Sequence, residues 1–178
     1  MFETSYDFVK VCKNQALNKP YLYETILYRF ETPVTRYTVE VEHYHHDIFI
    51  IKFYRNSDRK NKLKFNILTN EFNSTKIIAT CVHIMLSILN KKPLASFGFI
   101  GANTIDSLKN YNEQKNFTKR FRVYKQAMEN LIGENLFHHS MDTVNSAYLM
   151  INNRNKSTQD ILSRAKIIFE KIYPEMNM

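Results

Sequence analysis

Thr35-Arg36-Tyr37-Thr38-Val39-Glu40-Val41-Glu42-His43-Tyr44 is the stretch that decides the fold. Tyr37, Val39 and Val41 fall on one face, and Arg36, Thr38, Glu40 and Glu42 on the other. That period of two marks a strand with one buried and one solvated side. Residues 24–30 repeat the pattern before it, with Ile26, Tyr28 and Phe30 alternating. Residues 48–54 follow, apolar on both faces until Lys52, as in a central strand. Lys62 to Leu68 alternates again, with Leu63, Phe65 and Ile67 inward, and Arg55 to Asn61 is a polar hairpin loop before it. Together these read as an antiparallel meander. The chain ahead of it is expected to hold a short helix over 4–17, opened by Thr4-x-x-Asp7, with Phe8, Val11 and Cys12 on one face.

After the meander the period changes to that of a helix. Ile77, Ile78, Cys81, Ile84, Met85, Ile88 and Leu89 form a core-facing stripe between Asn73 or Ser74 and Pro93. Ala95 to Ala102 is a buried strand bracketed near its end by Gly98 and Gly101, and Asn103 to Asn116 is polar. A helix from Thr118 to Ile132, with Phe121, Tyr124, Met128 and Leu131 inward, stops at Gly133. Ser146 to Ile151 is a last strand. Ser157-x-x-Asp160 opens a final helix with Ile161, Ala165, Ile168, Phe169 and Ile172 buried and Pro174 just past its end. The expected order is (α)ββββαβαβα: one α+β domain over residues 1–178, its helices packed on one face of a mostly meander sheet.

Composition fits that picture. The chain has 178 residues, of which 44% are hydrophobic and 13% aromatic. This is enough to build a core without disulfides or a metal. No apolar run approaches membrane-spanning length, and Met1 to Asp7 has neither the basic nor the apolar part of a signal peptide. Cys12 and Cys81 stand apart, so a disulfide framework and a cysteine zinc ribbon are excluded. A cytoplasmic location follows as the expectation. Lys and Arg outnumber Asp and Glu by 25 to 17, a net charge of +8. That favours an anionic partner, although a Lys- and Asn-rich coding bias would produce the same excess.

The densest chemical constellation joins Ser96-Phe97-Gly98-Phe99-Ile100-Gly101-Ala102-Asn103-Thr104 to Thr118-Lys119-Arg120-Phe121-Arg122-Val123-Tyr124-Lys125. The second segment opens a helix with three cations in four residues. Each opposes the helix dipole at a cost of about 0.3–1 kcal/mol, which a bound anion would offset. Asn103, Thr104, Lys119, Arg120, Arg122 and Lys125 are therefore the candidate anion or nucleic-acid site. The opposing expectation is that these cations are solvated or paired with Glu113, Glu129 and Asp142. No Walker loop or dinucleotide fingerprint is present.

The strings Ser-Phe-Gly-Phe-Ile-Gly-Ala, Thr-Lys-Arg-Phe-Arg-Val-Tyr and Ser-Ala-Tyr-Leu-Met-Ile-Asn, in this order, resemble a group of small uncharacterised bacterial proteins. The resemblance spans residues 24–153. It implies a single compact domain and attaches no activity, cofactor or catalytic residue.

Histidines make the second constellation. His43 and His45 share a strand face and are candidates for zinc or nickel, but nothing nominates a third ligand. Surface histidines near a turn are the expectation, with no metal and no cofactor. His138 and His139 are placed in a loop, where with Arg120, Arg122 and Tyr124 they could cleave RNA without a metal. Serine-elbow, cysteine-nucleophile and two-metal templates are absent. Glu40 and Glu42 are expected to pair across the sheet with Lys52 and Lys64. The leading expectation is a non-enzymatic protein that binds nucleic acid or another phosphate-bearing partner through the Lys119–Lys125 helix start. A toxin-type ribonuclease and a protein-interaction module are the alternatives, and a homodimer is compatible with each.

Overall fold

A computed structural model describes residues 4–67, 73–106 and 108–173. The first element is a strand, β1 (Phe8–Gln15), in place of the expected helix. It runs antiparallel to β2 (Leu22–Glu31), with an irregularity between Lys10 and Cys12 where one residue bulges out. Sheet pairing satisfies its backbone, and the bulge puts Phe8, opposite Phe30, and Cys12, opposite Leu27, on different faces of the sheet, where the sequence had placed them on one. β3 (Arg36–Tyr44) and β4 (Ile48–Arg55) complete a four-stranded antiparallel meander. Thr32 tightens the turn between β2 and β3, its hydroxyl accepting the N–H groups of Val34 and Thr35 at 3.2 and 3.0 Å. The strand expected over 62–68 does not form. Residues 62–66 make successive turns, Lys64 N–H to Asn61 O and Asn66 N–H to Leu63 O, and Ile67 makes one isolated bridge to Ile105. Leu68 lies outside the described residues.

Helix α1 (Ser74–Lys91) buries the predicted stripe. It carries the chain across to β5 (Ser96–Ile100), which lies parallel to β4. Short strands β6 (Ile105–Asp106) and β7 (Tyr111–Asn112) form a small hairpin within the polar stretch. Helix α2 (Lys119–Leu131) starts at Thr118, whose hydroxyl accepts the Phe121 N–H at 3.1 Å. Leu131, expected inward, is exposed. An unexpected strand, β8 (Phe137–Asp142), pairs with β9 (Ala147–Asn152). Helix α3 (Thr158–Ile172) follows its Ser157 cap, and Pro174 lies outside the described residues. The main sheet has the order β1-β2-β3-β4-β5-β9-β8. The fold is α+β with a mostly antiparallel sheet, and β4 with β5 is its one parallel pair among the described residues.

The helices do not share one face, as the sequence had suggested. Val39, Val41, Phe97, Tyr148 and Met150 pack against α1 and α2, whereas Ile48, Ile50, Leu149 and Ile151 pack against α3. Central strands apolar on both sides require cover on both sides. Two glycines serve this packing. A Cβ on Gly98 would meet Phe169 of α3 at 2.7 Å, and one on Gly101 would meet the backbone N of Phe121 in α2 at 2.5 Å. No helix among the described residues is long and apolar enough to cross a membrane.

Candidate functional site

β4 and β5 pair through Ile48–Ser96, Phe49–Phe97 and Ile50–Gly98, and there the ladder stops although β4 runs on to Arg55. Beyond that point alternate residues of each strand turn their backbone N–H and C=O groups toward the gap. Gly101 donates its N–H to Ser146 O at 2.8 Å, on the β9 side, and the Ile100 carbonyl accepts the Ala102 N–H at 3.0 Å, so the β5 edge ends in a tight turn. The sheet is thus split at the carboxyl ends of its two parallel strands. Crevices of this kind are where sheet proteins of mixed architecture commonly bind ligands.

A pocket of about 430 Å³ fills the split. Phe53 and Tyr124 line it from the α1–α2 face, Lys52 and Tyr173 from the α3 face, and Leu63, Phe65 and Asn66 from the turns after β4. Lys52 is spent on an ion pair with Glu42 at 2.8 Å and lies 3.7 Å from Glu40, which also holds Lys64 at 3.3 Å. The expected Glu–Lys pairs are therefore present, with Lys64 reaching in from a turn. Burial would lower the Lys52 pKa, but Tyr173 and the glutamates hold it above its ordinary value. Tyr44 and Tyr54 are buried beside these charges, and the Lys64 ammonium sits 4.0 Å above the Tyr54 ring.

Arg120 is the predicted residue that the structure brings into the pocket most fully. Its guanidinium donates to the backbone oxygens of Phe65 and Ile67, the latter at 2.6 Å, and so ties α2 to the turn segment. Asn66 reinforces the tie by donating to Asn103 O at 3.0 Å. Asn103 also lines the pocket, its amide bonded to Asn112 and to Glu113 O. Tyr124 is 6% exposed, and burial drives its phenol pKa upward, so it remains a proton donor. Burial also pushes the Tyr173 phenol up to about 12. Its hydroxyl stands beside Lys52 without a well-formed hydrogen bond.

The remaining predicted cations lie outside the pocket. Lys119 is placed 5.6 Å over the Tyr111 ring, Arg122 5.9 Å over Phe117, and Lys125 pairs with Glu129 at 2.7 Å. The anion at the start of α2 is the chain's own. Glu113 accepts the backbone N–H groups of Lys119 at 2.8 Å and Thr104 at 2.9 Å. Burial would raise its pKa, but these N–H groups and the Lys119 charge hold it low. Thr104 is buried and offers no side chain to a ligand surface.

The histidines do not converge on Arg120. His138 and His139 sit on β8, not in a loop, and point to opposite faces at the far edge of the sheet. His138 is exposed. His139 bridges Gly133 O at 2.8 Å and the buried Tyr148 hydroxyl at 2.6 Å. His43 is not a surface residue. It is 5% exposed, with Nδ1 at 3.1 Å from Glu24 and Nε2 at 2.9 Å from Asp47. Lys13 flanks Glu24 at 2.5 Å and Lys92 flanks Asp47 at 2.7 Å, completing a five-residue chain in which an imidazole joins two lysine–carboxylate pairs. His45 packs against Tyr21 and Tyr23. No cluster of three metal-ligating side chains occurs among the described residues.

Sequence reading missed Lys52, Lys115 and Tyr173 as pocket residues, because no local motif marks them. The split that gathers them was signalled only by the polar Lys52 interrupting an otherwise apolar strand. Comparison with protein-family models, with curated proteins and with solved structures found no match.

Proposed function

We propose that the split between β4 and β5 binds a small, extended ligand with amide groups along its length. The observation that carries this reading is the ladder that ends after three pairs and opens into a pocket lined from both faces. Unpaired strand edges recognise amides as a further strand would. The net charge of +8 adds a preference for a ligand that also bears phosphates. The pantetheine arm of coenzyme A combines both features, two amides on a narrow chain and a phosphorylated end. Walls from both faces allow a carrier to enter on one side and an acceptor on the other. Acyl transfer from a thioester is the reaction class such a passage would serve. Calorimetric titration with coenzyme A and with neutral pantetheine tests the binding, and thiol release from acetyl-coenzyme A tests the chemistry. Saturable binding that is lost in Ala102→Phe, a change within the lining of the split, is the expected result, provided that variant stays folded. No binding of either compound to the wild type would overturn the reading.

A second reading keeps the phosphate-bearing partner on the outer surface of α2. Tyr111 and Phe117 are 42% and 47% exposed, each paired with a cation, Lys119 or Arg122. Exposed rings flanked by cations are what proteins use to stack and hold single-stranded nucleic acid. Anisotropy titration of labelled single-stranded RNA and DNA at two salt concentrations tests it. Binding with a steep salt slope that Lys119→Ala with Arg122→Ala removes would support nucleic acid. Equal binding by both proteins would reduce the charge to background.

A further inference from the structure

Arg120, Lys115 and Tyr124 are donors that line the split, and no carboxylate bonds to any of their side chains among the described residues. Arg120 is half-buried, and its hydrogen bonds go to two neutral backbone oxygens, with the remaining N–H donors left over. No carboxylate lies within ion-pair distance of it among the described residues, and Glu113, whose charge reaches it, is spent on two backbone N–H groups. Lys115 lines the same pocket and makes no ion pair among the described residues. Tyr124 adds a phenol that is 6% exposed, with no hydrogen bond among those residues. Lys115 is exposed at the rim of the pocket, so the cost of a charge drawn out of water without a counter-ion falls on Arg120.

We propose that an oxyanion of the ligand, phosphate or carboxylate, sits in the split against the Arg120 guanidinium and is held there by the Lys115 ammonium and the Tyr124 hydroxyl. This rests on the reading of the split as a ligand site and adds the chemical class that it selects. Guanidinium, ammonium and phenol are all donors, so the ligand must supply acceptors. A planar guanidinium suits an oxyanion with two oxygens side by side. Because the same guanidinium ties down the turn at Phe65 and Ile67, the anion also bears on that segment. An oxyanion that shares Arg120 with those two oxygens links ligand occupancy to the order of residues 62–67.

Calorimetric titration and thermal melting with sodium phosphate and with sodium acetate, each against chloride at equal ionic strength, separate the two oxyanions. Saturable binding of at least one, weakened tenfold or more in both Lys115→Gln and Tyr124→Phe, is the expected result. Neither change removes a contact made within the chain, so both variants should melt close to the wild type. Arg120→Lys keeps the charge but loses the fork, and should also weaken the anion if it folds. No saturable effect beyond chloride, or affinities unchanged in Lys115→Gln and Tyr124→Phe, would overturn the proposal. Pantetheine binding without an oxyanion effect would remove this inference and leave the carrier reading. Oxyanion binding without pantetheine binding would do the reverse.

Discussion

The Glu113 carboxylate accepts the backbone N–H of Lys119 at 2.8 Å, so the chain itself supplies the negative charge at the start of α2. Three cations in the first turn are tolerated because this carboxylate offsets them. Glu113→Gln should cost about 1 kcal/mol at neutral pH. The carboxyl is held below its ordinary pKa, so its contribution is full above the unfolded value and fades as pH falls through the folded one. Denaturant titrations at pH 7 and pH 3 should therefore show the variant and wild type diverging at the first and converging at the second.

The two sheet glycines should respond unequally to alanine. At Gly101 the new methyl group meets α2 backbone, which cannot yield without moving the helix, whereas at Gly98 it meets the end of the Phe169 ring. Gly101→Ala should lose about 1–3 kcal/mol, and Gly98→Ala less, by urea denaturation followed by circular dichroism. Equal losses would mean that α2 is not seated on Gly101 as described.

The chain Lys13–Glu24–His43–Asp47–Lys92, buried at Glu24 and His43, should make stability acid-sensitive. Burial works to raise the Glu24 and Asp47 pKa values, but the lysines and His43 beside them prevail and hold both down. Stability from these carboxylates is complete above about pH 4–5 and is lost as pH drops through their folded values. Glu24→Gln should cost about 1–3 kcal/mol at pH 7, discounted because Lys13 is half-exposed. A difference that stays constant down to pH 3 would contradict the pairing.

The two adjacent histidines on β8 should separate cleanly. His138→Ala should change stability by less than about 0.5 kcal/mol, as exposed sites do. His139→Ala strips partners from the buried Tyr148 hydroxyl and from Gly133 O, and should cost about 1–3 kcal/mol. Thermal melts of the two single variants decide this.

The elements legible in the sequence were those with buried faces: β2 to β5, β9 and all three helices. The short β6–β7 hairpin was missed within the polar stretch, and so were β1 and β8, which are the two edges of the main sheet. An edge strand buries little, so its residues need not alternate. β8 has one fully buried side chain, Phe137, and the bulge in β1 breaks whatever alternation remained. The false strand over 62–68 has the opposite origin. Leu63 and Phe65 point into the split, and Lys64 reaches Glu40, from a chain that is turning rather than extended. Of the site, Arg120, Asn103 and Tyr124 were found from the cation run and the glycine-bounded strand. Lys52, Lys115 and Tyr173 come together only because β4, the polar segment and the end of α3 meet at one place, which no single stretch records.

The three residue pairs between β4 and β5 are the sole ladder joining the four N-terminal strands to β5, β9 and β8 among the described residues. Mechanically, the sheet is two plates stitched along a short seam. Amide hydrogens at Ile48–Ile50 and Ser96–Gly98 should exchange with deuterium ahead of those at the centre of β2 and β3. Each plate should then lose protection as its own cooperative unit. Anything that lodges in the split would close that seam, and slowed exchange on both plates would report it without any assay of chemistry.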